Sequence, residues 1–155
     1  MSRAAIEEEL RGSIDLHAAL DSEITDKHEM LHSVLDLADV AVGDIMTHRK
    51  DVVMVDAGER PRAIVEKVLA SPFTRVPVWR GEPDNITGVL HAKAVLRAVI
   101  ARGGDATAID PTSLATRPWF IPDTTTLLDQ LQAFRRRREH FAVVVDEYGS
   151  FMGIV

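Results

Sequence analysis

The chain repeats itself once, and that repeat limits what it can fold into. TRVPVWRGEPDNITGVL, residues 74–90, and EHFAVVVDEYGSFMGIV, residues 139–155, carry the same features in the same order. Each has an apolar run, a polar turn, and a second apolar run ending in Gly-Val-Leu or Gly-Ile-Val. Val76-Pro77-Val78 stands 65 residues before Phe141-Ala142-Val143, and Gly88-Val89-Leu90 stands the same 65 residues before Gly153-Ile154-Val155. Upstream the match continues with a one-residue shift. Val65 and Val68 align with Leu131 and Phe134, and Asp44-Ile45-Met46-Thr47 resembles Ser113-Leu114-Ala115-Thr116. Each copy reads as a short extended segment, a helix, and two strands joined by a polar turn. The first helix is expected to start near Pro61, a residue favoured in the first turn. The second is expected near Thr124-Thr125-Thr126, whose hydroxyls suit a cap. Pro77 marks an edge or bulged strand, because it has no N–H to give to a ladder.

The two copies differ at their ends. After Leu90 the first continues as HAKAVLRAVIARGG, where Ala92, Val95, Leu96 and Val99 predict an amphipathic helix closed by Gly103-Gly104. The second stops at Val155. By internal symmetry one helix is expected to be missing, leaving the apolar side of the last strand exposed for a dimer or partner contact. Before the repeat, residues 4–40 read as helical and polar, broken at Gly12-Ser13. A second helix begins near Thr25 or Asp26, with Thr25 as its cap. Met30, Leu31, Val34, Leu35 and Ala38 give that helix an apolar face.

Composition excludes several functions. The net charge is −6, which argues against nucleic acid, since phosphate binding needs clustered Lys and Arg. Arg135-Arg136-Arg137-Arg138 is read instead as a helix C-terminus, where cations complement the dipole. There is no Cys, so thiol nucleophiles, Cys-ligated zinc and disulfides are absent. No apolar run approaches the roughly 20 residues of a membrane helix. Glu7-Glu8-Glu9 reads as a solvated helix start.

The motifs D-I-M-T, T-R-V-P-V and V-D-E-Y-G-x-x-x-G-I-V, in a β-α-β-β-α unit used twice, resemble a tandem pair of cystathionine-β-synthase (CBS) domains, the Bateman module. Within that superfamily the chain looks most like the CorC/HlyC group of magnesium and cobalt efflux, or hemolysin-like, proteins. The resemblance implies an α+β fold with the two units packed sheet to sheet. Residues 1–40 would be a helical linker, 41–104 the first CBS domain and 105–155 the second. It further implies a regulatory module that is not an enzyme, binds an adenine nucleotide (ATP or AMP, with magnesium) and forms a homodimer. The module would lie on the cytoplasmic side of the inner membrane, attached to a membrane transporter domain, without inserting itself.

Carried over by position, the resemblance makes Thr47 a nucleotide contact and aims Arg75 at the phosphates. A guanidinium presents a fork of donors that suits phosphate oxygens. Trp119, Phe120, Ile121, Pro122, Phe141, Ala142 and Val143 would line the adenine. The Thr and Asp that usually grip the ribose after G-I-V would fall beyond Val155, and in the first repeat those places hold His91 and Ala94. Ala94 accepts no hydroxyl, so the first-repeat site lacks a ribose grip, and binding at the second is expected to be weak.

Two other functions compete. A ligand-free structural dimerisation module fits the His91 and Ala94 departures. In that case Thr47 ends a turn, Arg75 pairs with a surface carboxylate, and Trp119 and Phe120 are core. A zinc hydrolase fits His28-Glu29-Met30-Leu31-His32, which matches H-E-x-x-H. No third ligand follows in a recognisable motif, and a docking helix explains the same stretch.

Overall fold

The computed structural model describes residues 3–20 and 25–155; the side chains of residues 12–20, 25, 26 and 34 lie outside that set. The elements in chain order are α1 (Arg3–Leu20), α2 (Thr25–Asp36), α3 (Val42–Ile45), β1 (Thr47–His48), β2 (Val55–Asp56), α4 (Pro61–Ala70), β3 (Arg75–Arg80), β4 (Glu82–His91), α5 (Ala92–Ala101), β5 (Phe120–Pro122), α6 (Leu127–Arg137), β6 (Val143–Val145) and β7 (Phe151–Ile154). They fall into two compact units, Met1–Asp44 with Thr124–Glu139, and Ile45–Asp123 with His140–Val155.

The first unit is helical. Contrary to the sequence expectation, α1 runs unbroken through Gly12-Ser13. One glycine costs a helix about 1 kcal/mol relative to alanine, too little to stop one flanked by strong formers. Arg11 meets Asp36 at 2.7 Å and so ties α1 to α2. α2 begins at Thr25, where expected, although the proposed Thr25 cap and Val34 lie outside the described side chains. Of the apolar face predicted for α2, Met30 and Leu31 are exposed while Leu35 and Ala38 are half-buried. Residues 40–42 pair with 125–127, with Val42 N donating to Thr125 O at 2.7 Å and Leu127 N to Val40 O at 2.8 Å. That pairing leads into α6, whose Thr126 hydroxyl accepts from Asp129 N at 3.2 Å, as the cap reading requires. Arg135, Arg136 and Arg137 occupy its last turn, and Arg138 ends it in the left-handed region.

The second unit holds both sheets. One has the order β2-β3-β4, and the other β1-β7-β6-β5. In each, a short parallel strand flanks an antiparallel hairpin: Val55 lies opposite Val78, and Phe120 opposite Val143. The register corrects the sequence alignment by one residue. Val78 faces Gly88, whereas Val144 faces Gly153. The structural counterpart of Val76-Pro77-Val78 is therefore Ala142-Val143-Val144, and the second hairpin is one residue shorter. Pro77 is not on an edge; β3 is the central strand of its sheet, with a bulge immediately after Val78.

The segments that lead into the two repeats are exchanged. Thr47, leading into the first, pairs with Ile154 on the last strand of the second. Thr116, leading into the second, pairs with Val89 on the last strand of the first, by Thr116 N to Val89 O at 2.9 Å and Val89 N to Thr116 O at 3.0 Å. Two glycines at equivalent positions admit these crossings. A Cβ on Gly88 would stand 2.8 Å from the Ala115 methyl, and one on Gly153 would overlap the Thr47 carbonyl oxygen.

Two apolar clusters fill the unit. Val55, Ile64, Val65, Val68, Val76, Val78, Leu90 and Val95 join the three-stranded sheet to α4 and α5. Pro61 opens α4 and Gly103-Gly104 follow α5, as expected, but Leu96 points outward. Ile86, Val89, Val143, Phe151 and Ile154 fill the space between the sheets. The last strand is thus not an exposed apolar surface: Phe151 is 0% and Ile154 6% exposed, because both face the opposite sheet.

Gly153→Ala is expected to destabilise the fold by about 3 kcal/mol or more, since a backbone oxygen must move, and Gly88→Ala by about 1–3 kcal/mol, since a methyl must move. Urea midpoints of the two variants check the order; equal midpoints with the parent chain would refute it.

Candidate functional site

The exchange gathers most of the sequence-predicted residues on the four-stranded sheet. Phe120 is opposite Val143, Val143 is opposite Ile154, and Ile154 is opposite Thr47. These four residues form one row across four strands. Beside the row, Val143 N donates to Trp119 O at 2.8 Å, and Ala142 exchanges both backbone hydrogen bonds with Val155. The side chains divide by accessibility. Phe120 is 47% exposed, and Pro122 is also exposed. Thr47, Trp119 and Phe141 are half-buried, the last packing against the inter-sheet cluster. Ile121, Ala142 and Val143, expected to line the adenine, are buried and offer no surface to a ligand.

Arg75 stands elsewhere, half-buried on β3 of the three-stranded sheet opposite His91. The His91 imidazole has a pKa below the usual histidine value, chiefly because burial disfavours its charged form and secondarily because the Arg75 guanidinium is close. His91 Nε2 lies 3.4 Å from Thr116 Oγ1. Together with Lys93, Ala94, Arg97 and Leu114, these two residues line a cavity of about 280 Å³ at the start of α5. Arg75 and Thr47 are therefore on different sheets, and each accompanies the lead-in segment of one repeat.

One constellation was not read from the sequence. Arg49 Nη1 donates to Asp84 Oδ1 at 3.2 Å and to Phe151 O at 3.1 Å, while Phe151 N donates to the same carboxylate oxygen at 3.2 Å. The guanidinium carbon also sits 6.0 Å from the centre of the Phe151 ring. This network fixes the turn after β1, and with it Thr47, to the first hairpin and the last strand. The partners are 35, 67 and 102 residues apart, a separation with no local sequence signal.

Comparison with known proteins agrees with this architecture. The CBS domain family matches residues 42–101 and 112–155, and the chain belongs to that family. Its fold is that of a tandem CBS pair. Among individual proteins it is similar to the magnesium and cobalt efflux protein CorC of Pasteurella multocida, at 32% identity over 86% of this chain and 44% of that protein. It is also similar to the inner membrane protein YoaE of Escherichia coli K12, at 37% identity over 81% of this chain and 24% of that protein. The chain thus spans less than half the length of these relatives. The CBS domain of a bacterial CNNM/CorC family Mg²⁺ transporter, solved in complex with ATP, superposes with a TM-score of 0.73 at 31% identity, covering 84% of this chain and 90% of that one. A CBS-domain pair with bound AMP from Klebsiella pneumoniae gives 0.67 at 30% identity, covering 75% and 91%.

The family is one of regulatory modules, and the chain is not an enzyme. The His28 and His32 rings of the H-E-x-x-H stretch pack edge to face at 4.6 Å. Among the described residues no group of three acidic or histidine side chains is placed to hold a metal, and no helix is long and apolar enough to cross a membrane.

The lowered pKa of His91 sets a pH dependence. Between the folded and unfolded pKa values the unfolded chain binds more protons, so stability rises with pH there. The contribution is complete above the ordinary histidine value of about 6.5 and is lost as pH falls through the folded value. Urea midpoints measured between about pH 5 and pH 7.5 should fall on acidification, and His91→Gln should flatten that fall. An unchanged slope in the variant would refute it.

Proposed function

We propose that this chain is the adenine-nucleotide-sensing module of a magnesium or cobalt transport protein, with residues 1–40 as the linker and 41–104 and 105–155 as the two CBS repeats. The observation that carries this reading is the row Thr47–Ile154–Val143–Phe120, which sets a hydroxyl and an accessible aromatic on one sheet, on either side of the buried Val143 and Ile154. Flat apolar walls with a few polar groups are what a purine site requires. Phe120, Trp119, Pro122 and Phe141 hold the base. Thr47 contacts the nucleotide, and Arg75 reaches its phosphates. Magnesium arrives on those phosphates, since it is usually held by phosphate oxygens and few protein ligands. The ATP-bound and AMP-bound relatives support this ligand class.

The module acts on the cytoplasmic side of the inner membrane and passes its state through the linker to a transporter domain. Such coupling requires the nucleotide to favour one of two arrangements. Leu69, Leu96 and Ile100, exposed on α4 and α5, supply an apolar surface for pairing of two copies. A ligand-free dimerisation module remains the second reading for the first repeat, because Ala94 lines the cavity beside His91 without an acceptor for a ribose.

Two measurements test the proposal. Calorimetric titration with ATP, ADP and AMP, with and without magnesium, should show saturable binding that Arg75→Ala weakens by about tenfold, as expected for loss of a charge-assisted hydrogen bond. Absence of binding by all three nucleotides overturns the sensing function. Sedimentation should show a dimer that Ile100→Glu converts to a monomer; a monomeric parent chain overturns the pairing.

A further inference from the structure

A second polar cavity, of about 290 Å³, is lined in part by Val78, Arg80, Thr87, Gly88, Thr112 and Arg117. None of the candidate nucleotide residues lines it. Its floor is Val78 and Gly88, on the sheet that packs under α4 and α5. Two arginines, Arg80 and Arg117, line it. The chain carries a net charge of −6, so carboxylates are plentiful. Arg3, Arg11, Arg49, Arg62 and Arg137 each meet one. Among the described residues Arg80 and Arg117 meet no carboxylate, as is also true of Arg60, Arg75, Arg97 and Arg102, but these two line one groove. Two like charges on one groove repel unless an anion lies between them. The nearby Asp110 does not line the cavity, and its Oδ1 is engaged by Thr112 N at 3.2 Å and Thr112 Oγ1 at 2.7 Å.

The second repeat supplies an internal control. With the register above, its counterparts of Arg80, Thr87 and Arg117 are Asp146, Met152 and His48. Asp146 turns its carboxylate inward, accepting from Tyr148 N and Ser150 N at 2.9 Å each to close its own hairpin. The same fold is thus built without arginine at these places. Hairpin closure does not require Arg80, and the lead-in crossing does not require Arg117.

We propose that this cavity is an oxyanion site that takes a phosphate group between Arg80 and Arg117, with the Thr87 hydroxyl as a further donor. Guanidinium pairs offer forked donors to phosphate oxygens. A cavity of about 290 Å³ has room for a phosphate group. None of the proposed nucleotide contacts takes part in it, although Thr116 lines both this cavity and the one beside His91.

The test uses the whole chain with inorganic phosphate as probe, followed by backbone amide shifts and calorimetry. Saturable shifts centred on Thr87, Gly88 and Thr112 are expected. Arg80→Gln and Arg117→Gln should each weaken them by about tenfold. Both side chains are exposed, so unfolding midpoints should hold and separate loss of binding from loss of fold. ATP added to the phosphate-saturated chain identifies the source. Displacement assigns the phosphate to a nucleotide tail, and no displacement assigns it to free phosphate. A phosphate response absent at Thr87 and Gly88, or weakened equally by Arg97→Gln outside this cavity, overturns the proposal.

Discussion

The second unit depends on two crossings that only glycine permits. Each repeat sends its lead-in segment over the last strand of the other, and each crossing passes above a glycine, Gly88 in one copy and Gly153 in the other. A strand glycine ordinarily weakens a sheet, because it has no side chain to pack and loses more entropy on folding. Here the empty space is occupied by the crossing backbone. The exchange then determines the rest. Because Thr47 is held on β7, the first repeat contributes a residue to the second repeat's sheet, and the cluster between the sheets includes residues from both. The second repeat's sheet takes its edge strand β1 from the first repeat, and the first repeat's sheet receives only the Thr116 bridge in return.

Much of this was legible in the sequence because it is local. The hairpins follow from apolar runs separated by Gly-containing polar turns. The start of α4 follows from Pro61, and that of α6 from Thr126. The errors arose where distant partners decide. The repeat spacing suggested one constant offset, but hairpin length is set inside the turn, and the second turn lacks a residue. That slip moves the counterpart of Arg75 from His140 to Phe141. The last strand was expected to be bare because no helix follows it in sequence. Instead Phe151 and Ile154 face the other sheet, an outcome that depends on which face each side chain takes and not on what comes next along the chain.

The candidate site shows the same division. The residue types were readable: a threonine after a helical turn, an arginine before a strand, aromatics beside a proline. Their grouping was not, since Thr47 and Phe120 meet only through β6 and β7. The Arg49–Asp84–Phe151 network was invisible for the same reason. It spans three separate segments, and one carboxylate oxygen receives both a guanidinium and a backbone N–H. Charge-assisted hydrogen bonds of this sort are stronger than neutral ones, and an acceptor shared by two donors loses both if it is removed. The turn that holds Thr47 is therefore anchored to residues far from it in sequence.

The corrected register also changes how the two halves divide their work. At one structurally equivalent position the first repeat carries Arg75 and the second Phe141. The cation sits half-buried beside a histidine whose charged form is disfavoured, so the two side chains do not repel one another as two cations would. The aromatic packs on the cluster between the sheets, where a cation would have to be desolvated without a partner. A symmetric pair with arginine at both places would carry two charges toward one interior. A pair with phenylalanine at both would carry no cation at either place. The difference between the copies thus lets one fold present an aromatic on one sheet and a cation on the other, while the glycines and the exchanged segments, which both copies share, keep the scaffold the same.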